Sequence, residues 1–182
     1  MTAPDPRPVP VQPITPAALE AAFARISGTG PGVAERSFIA QAHEDYAADE
    51  TPELSGDDLA ALLVASWRAA QDYASGAAPV ITVGPLQGVE GLPLGYDLVR
   101  IVQPDAPFLV DSVMGALAEA GVSVRALYHP VVDCDARRLS VIILVIDGVP
   151  QERRDALGEN LAATLADVHA AVADHAEMLA LM

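Results

Sequence analysis

A short stretch with two carboxylates beside a predicted helix start holds the residues best suited to chemistry. Asp105, Pro107, Phe108, Asp111 and Ser112 fall within the eight residues Asp-Ala-Pro-Phe-Leu-Val-Asp-Ser. Free backbone amides at a helix start, together with the helix dipole, suit the carboxylate of a ligand. The side chains of Asp105 and Asp111 could hold an ammonium group, although they would oppose the ligand's carboxylate. The stretch therefore has groups that could bind an amino acid.

The same residues also have a structural interpretation, which the sequence favours. Asp105 fits the N-cap of a helix, because its carboxylate can accept hydrogen bonds from N–H groups of the first turn. Pro107 would then lie inside that turn, where its missing N–H group costs little. We expect Phe108 to pack in the core, and Asp111 with Ser112 to serve the cap or an interface.

The other reactive side chains do not form a catalytic constellation. His129 precedes a proline at the end of a predicted strand, where it could report pH or touch a ligand, but a structural imidazole is favoured. His169 and His175 are six residues apart on a predicted helix, so they do not share a face that could hold a metal ion. Cys134 stands between two aspartates, whose charge disfavours a thiolate. We predict no catalytic residue, metal site or bound cofactor in this segment.

The composition is strongly acidic. The 182 residues include 10 Arg, no Lys and 25 acidic residues, for a formal net charge of −15. Such a surface repels phosphate backbones and anionic lipids, so we predict neither a nucleic-acid nor a membrane partner. The single cysteine excludes an intrachain disulfide. The sequence shows no signal peptide and no apolar run of membrane-spanning length, and we expect a cytoplasmic protein.

The chain divides into three segments. Residues 1–14 are proline-rich, with few apolar anchors, and are predicted to form a disordered arm. Residues 15–76 carry three helix patterns separated by short breaks, and form a helical N-terminal segment. Residues 77–182 alternate between strand and helix patterns and form the second ordered unit.

This second unit is predicted to contain one antiparallel sheet. The run Leu139–Ile146 is almost continuously apolar and β-branched, which is typical of a central strand buried on both faces. Helices are predicted at 108–120 and from Pro150 to about Leu181.

The last predicted helix is longer than the sheet requires. It would extend about 45 Å at about 1.5 Å per residue, whereas a strand of six residues spans about 20 Å. Its apolar stripe nevertheless continues through Val168, Val172, Leu179 and Leu181. We expect the N-terminal helices, a second copy of the chain or a further domain to cover the distal half.

Two strings in the second unit carry a family resemblance. They are the octapeptide Asp105–Ser112 and the tetrapeptide Tyr128-His-Pro-Val131. Together they resemble the N-terminal ACT-like region of the large bacterial NAD-specific glutamate dehydrogenases, over roughly the chain from Asp57 onward. The resemblance implies an α+β, ferredoxin-like fold of ACT type: a four-stranded antiparallel sheet with helices on one face, preceded here by a helical layer. The usual fourth strand is missing after the last helix, so we expect residues 80–83 to take its place. The resemblance then implies the strand order 80–83, 97–102, 139–146, 122–132, with both helices on one face of the sheet.

The resemblance also implies a function. The chain would be a non-catalytic N-terminal regulatory or assembly segment of an NAD-dependent glutamate dehydrogenase, whose NAD site and catalytic lysine would lie beyond Met182. Its partners would be the remainder of the parent chain, further copies of itself, or an amino-acid effector. The alternative is a free-standing ACT-type sensor of amino acids. ACT domains that bind amino acids commonly have a glycine where this chain has Phe108, so we expect no strong amino-acid site.

Overall fold

The computed structural model describes residues 14–45, 54–73, 77–134 and 137–180, without the side chains of 174–180. The proline-rich arm predicted for residues 1–14 lies outside the described residues, except for Ile14. None of the helices within the described ranges combines the length and the apolarity needed to cross a bilayer.

Three helices precede the sheet, as predicted: α1 Pro16–Ser27, α2 Val33–Glu44 and α3 Gly56–Gln71. The Thr15 hydroxyl caps α1 by accepting a hydrogen bond from the Ala18 N–H group at 3.2 Å. Ser55 and Asp58 form a capping box at the start of α3, in which each side chain accepts from the other's backbone N–H group. The helices pack through apolar stripes, and α2 and α3 meet where the Phe38 and Trp67 rings lie 5.4 Å apart.

The remaining elements alternate between strands and helices. They are β1 Val80–Gln87, β2 Pro93–Pro104, α4 Leu109–Glu119, β3 Val124–Tyr128, β4 Val131–Cys134, β5 Arg137–Asp147 and α5 Gln151–Ala180. All strand pairs are antiparallel, in the order β1-β2-β5-β3, and β4 also pairs with β5. The predicted order and the α+β, ferredoxin-like class are confirmed.

Two details of the predicted sheet are wrong. The strand predicted over 122–132 is divided into β3 and β4 at His129 and Pro130, so the sheet has five strands. Proline has no N–H group for the ladder, but the Pro130 carbonyl still accepts from the Val141 N–H group at 3.0 Å and keeps the chain beside β5. The strands predicted over 80–83 and 97–102 are also too short, because β1 and β2 stay paired as far as Gln87 and Pro93.

The sheet is buried on both faces, and β5 shows why. Its alternate residues Ile142, Leu144 and Ile146 pack in the cluster formed by α4 and α5. The intervening Val141, Ile143 and Val145 pack in the cluster formed by α1, α2 and α3. The molecule therefore has three layers, and the continuous apolarity of β5 follows from its place in the middle layer.

Candidate functional site

The turn between β2 and α4 differs from the prediction. Helix α4 begins at Leu109, so Pro107 lies before the helix and Asp105 does not cap it. The Asp105 carboxylate instead accepts from Arg138 Nε at 2.9 Å, and the Asp105 N–H group donates to the Arg138 carbonyl at 3.0 Å. These two bonds to β5 hold Asp105 against the sheet, before the chain has reached the helix.

Phe108 occupies the N-cap position of α4 with φ 67° and ψ 6°, and no side chain caps this helix. It is the one non-glycine residue with a positive φ among the described residues. A bulky side chain in this left-handed conformation costs about 1–3 kcal/mol, whereas glycine adopts it freely. The prediction that Phe108 packs in the core is wrong, because it is 70% exposed.

A groove of about 280 Å³ lies beside Phe108, between the start of α4 and the distal half of α5. Its lining residues are largely apolar: Pro107, Phe108, Ser112, Val168, Ala171 and Val172. Val168 and Val172 are only half-buried. Asp111 is exposed in the first turn of α4, and an interface role for Asp111 and Ser112 stays a prediction.

His129 lies on the sheet side of the same turn. Its Nε2 atom is 2.7 Å from the hydroxyl oxygen of the buried Ser140, and its backbone N–H group donates to Asp45 Oδ2 at 2.8 Å. Burial lowers the pKa of His129, and the negative charges of Asp105 and Asp45 offset part of that shift. The imidazole therefore favours its neutral form, which suits a hydrogen bond inside the protein.

Gln103 is a polar residue of this region that the sequence reasoning missed. It is fully buried, and neither its amide nitrogen nor its amide oxygen has a hydrogen-bond partner among the described residues. In the strand register it lies opposite Ser140. The period of two in β2 could have revealed it, because Gln103 continues the inward series of Val99 and Ile101.

A second missed feature is the ion pair that holds the start of α5. The Asp97 carboxylate accepts from Arg154 Nε and Nη2, each at 2.9 Å, and from the Val149 N–H group at 2.9 Å. Asp97 is 1% exposed. This bidentate contact joins the first turn of α5 to β2 and fixes where the helix crosses the sheet.

The described residues contain no group of three or more His, Cys, Asp or Glu side chains that could hold a metal ion. The site therefore consists of a strained, exposed phenylalanine, an apolar groove, and a buried polar cluster beneath the turn. Such an arrangement can bind a partner or a small ligand through shape and hydrogen bonds.

Comparison with known proteins identifies one family model that covers most of the chain. The model, described as the glutamate dehydrogenase ACT1 domain, matches residues 38–180. The match begins within α2, earlier than the expected start near Asp57. No curated protein and no solved structure gives a significant match.

Proposed function

The chain belongs to the family of glutamate dehydrogenase ACT1 domains, and from this premise we propose that it is a non-catalytic assembly and regulatory segment of an NAD-dependent glutamate dehydrogenase. The parent enzyme would convert glutamate to 2-oxoglutarate, with NAD and the catalytic residues in another part of its chain. The role of the ACT1 segment would be to bind that other part and transmit its state.

The observation that carries this proposal is an apolar surface made of Pro107, Phe108, Val168, Ala171 and Val172, the Phe108 surface. The Phe108 side chain is 70% exposed, although burial of such a side chain contributes about 1.5–3 kcal/mol. Its backbone is also strained. Covering the ring with a partner would remove the cost of its exposure and offset the cost of the strained backbone.

We propose that the occupant is the remainder of the parent dehydrogenase rather than a second copy of this chain. The chain carries a formal charge of −15, and Asp111 and Asp167, neighbours in sequence of the Phe108 surface, are exposed. Two copies would bring these like charges together, which opposes self-association. The fitting partner has an apolar centre and a rim of Arg or Lys.

The proposal is tested in the full-length parent enzyme with Phe108→Ser, and with Val33→Ser as a matched control. Val33 is 86% exposed but lies on α2, away from the Phe108 surface. We expect Phe108→Ser to weaken assembly, measured by analytical ultracentrifugation, by about 10- to 100-fold, as the loss of a buried aromatic side chain implies. Val33→Ser should leave assembly and activity unchanged. Equal behaviour of the two variants would refute the proposal.

A second candidate function, a free-standing amino-acid sensor, is favoured by Gln103. A ligand with both a donor and an acceptor would satisfy its unpartnered amide. Phe108 opposes this function, because it stands where amino-acid-binding ACT domains commonly have glycine. Calorimetric titration with glutamate distinguishes the two: we expect no dissociation constant in the micromolar range. A micromolar constant that changes in Phe108→Gly would favour the sensor.

A further inference from the structure

We propose that Arg100 binds the carboxylate of a small organic acid on the face of the sheet that carries α1, α2 and α3. Most arginines of the described residues contact a carboxylate or a backbone carbonyl. Five of them contact a carboxylate: Arg25 with Asp57, Arg36 with Glu20, Arg125 with Asp147, Arg138 with Asp105, and Arg154 with Asp97. Two more, Arg137 and Arg153, donate to backbone carbonyls.

Arg100 differs from all of these. It is half-buried in β2, and no carboxylate or carbonyl partner for it lies within the described residues, whereas Arg68, which also lacks a carboxylate there, is exposed. Its partial burial removes water from around the cation and lowers the pKa of Arg100. The chain has 25 acidic residues for 10 arginines, so an arginine taken out of water without a carboxylate is unexpected.

The guanidinium group is held in a fixed orientation. Arg100 Nε donates to Ser66 Oγ at 3.1 Å. The Ser66 hydroxyl is fully buried and donates its own proton to the Leu62 carbonyl at 2.8 Å, so it presents a lone pair to Arg100. This contact occupies one of the five N–H donors of the guanidinium group and leaves the two terminal nitrogens available for a ligand.

A carboxylate matches the N–H donors on the two terminal nitrogens of Arg100. Its two oxygens fit the planar fork of a guanidinium group, and a paired cation is far more stable than an unpaired one where water is scarce. Thr82 lies directly opposite Arg100 in the register of β1 and β2, hence on the same face, and is exposed. Its hydroxyl adds a neutral donor beside the arginine.

The charge of the chain further restricts the class of ligand that this site can bind. The proposed site is built on one arginine, Arg100, within a chain of net charge −15. A phosphate ester or a polyanion would meet more repulsion than attraction, whereas a compact carboxylate needs the neutralisation of one charge only. The ligand class is therefore a small organic acid.

The test follows the Nε resonance of Arg100 by NMR in the full chain during titration with acetate and with propionate, at constant ionic strength set by chloride. We expect a saturable shift for wild type and for the exposed control Arg68→Gln. Arg100→Gln has no arginine resonance at this position, so binding is followed by the backbone resonances of Ser66 and Thr82. Their shift on titration should be at least tenfold smaller than in wild type.

Thr82→Val provides a second variant if Arg100→Gln fails to fold. It keeps a β-branched residue in β1 and should weaken carboxylate binding several-fold while the Arg100 signal remains observable. A folded wild-type chain without saturable binding of either acid would overturn the proposal. Binding of an acidic peptide alone would also overturn it, in favour of a protein partner. Neither result bears on the Phe108 surface, which lies toward the opposite face of the sheet.

Discussion

The two halves of α5 share one helix and one apolar spacing, yet the protein uses them differently. In the proximal half, Arg154 is held by Asp97, and Leu157, Leu161 and Leu165 are buried against the sheet. In the distal half, Val168 and Val172 are half-buried beside the exposed Phe108. The proximal half stabilises this fold, whereas the distal half leaves apolar side chains partly exposed, and we propose that a partner covers them.

Helix length explains part of this difference. The 30 residues of α5 extend about 45 Å, and the 11 residues of β5 extend about 36 Å. The strand is longer than the six residues assumed from the sequence, but it is still shorter than the helix. The end of α5 therefore has less sheet beneath it than its start.

The largest expected effect is a difference in the loss of stability between two variants, one from each half of α5. Leu161 is fully buried, so Leu161→Ala should lower the free energy of unfolding by about 2–5 kcal/mol. Val172→Ala should change it by less than about 1 kcal/mol, because Val172 is only half-buried and alanine favours a helix. Urea unfolding of the isolated chain measures both. Similar losses in the two variants would remove the distinction between the halves.

The next prediction concerns the strain at Phe108. Phe108→Gly should raise the free energy of unfolding of the isolated chain by about 1 kcal/mol, since glycine adopts the left-handed conformation without strain. Phe108→Ala serves as the control, because it removes the ring but keeps the strain. If alanine stabilised the chain as much as glycine, the exposed ring rather than the backbone would be the source of instability.

The smallest expected effect concerns His129, which contacts Ser140 of β5 near the turn between β2 and α4. Burial lowers its pKa from the ordinary value of 6.5. The unfolded chain therefore takes up a proton at a higher pH than the folded chain does. The free energy of unfolding should then fall as the pH drops from neutral through 6.5 toward the lowered pKa.

His129→Gln keeps a hydrogen-bonding side chain near Ser140 but cannot titrate. Its unfolding free energy should depend less on pH over this range than that of wild type, when both are measured by urea unfolding at a series of pH values. An unchanged pH dependence would mean that His129 does not contribute to it.

The sequence was sufficient to predict the layers of this fold, but not the structure of the turn between β2 and α4. The continuous apolarity of β5 placed that strand at the centre of the sheet. Caps such as Thr15 and Ser55 are a local signal, because each cap and its partner lie within three residues. The N-cap prediction for Asp105 failed because its actual partner, Arg138, lies 33 residues away in the chain.

Two other features of the site had weak or no local signals. Nothing in the type of residue 108 indicates a positive φ, because phenylalanine rarely adopts one. Gln103 stands out only after the facing residues of β2 are known. Long-range contacts and backbone strain are set by the assembled fold, so local sequence patterns do not reveal them.

The most direct test of the central claim is hydrogen exchange of the amides of α5 in the isolated chain and in the full-length parent. In the isolated chain, residues 168–173 should exchange much faster than residues 157–165. In the parent, a partner on the Phe108 surface should slow exchange of residues 168–173 by at least tenfold and leave residues 157–165 nearly unchanged. Equal exchange of residues 168–173 in the two proteins would contradict the claim that the distal half of α5 is a docking surface.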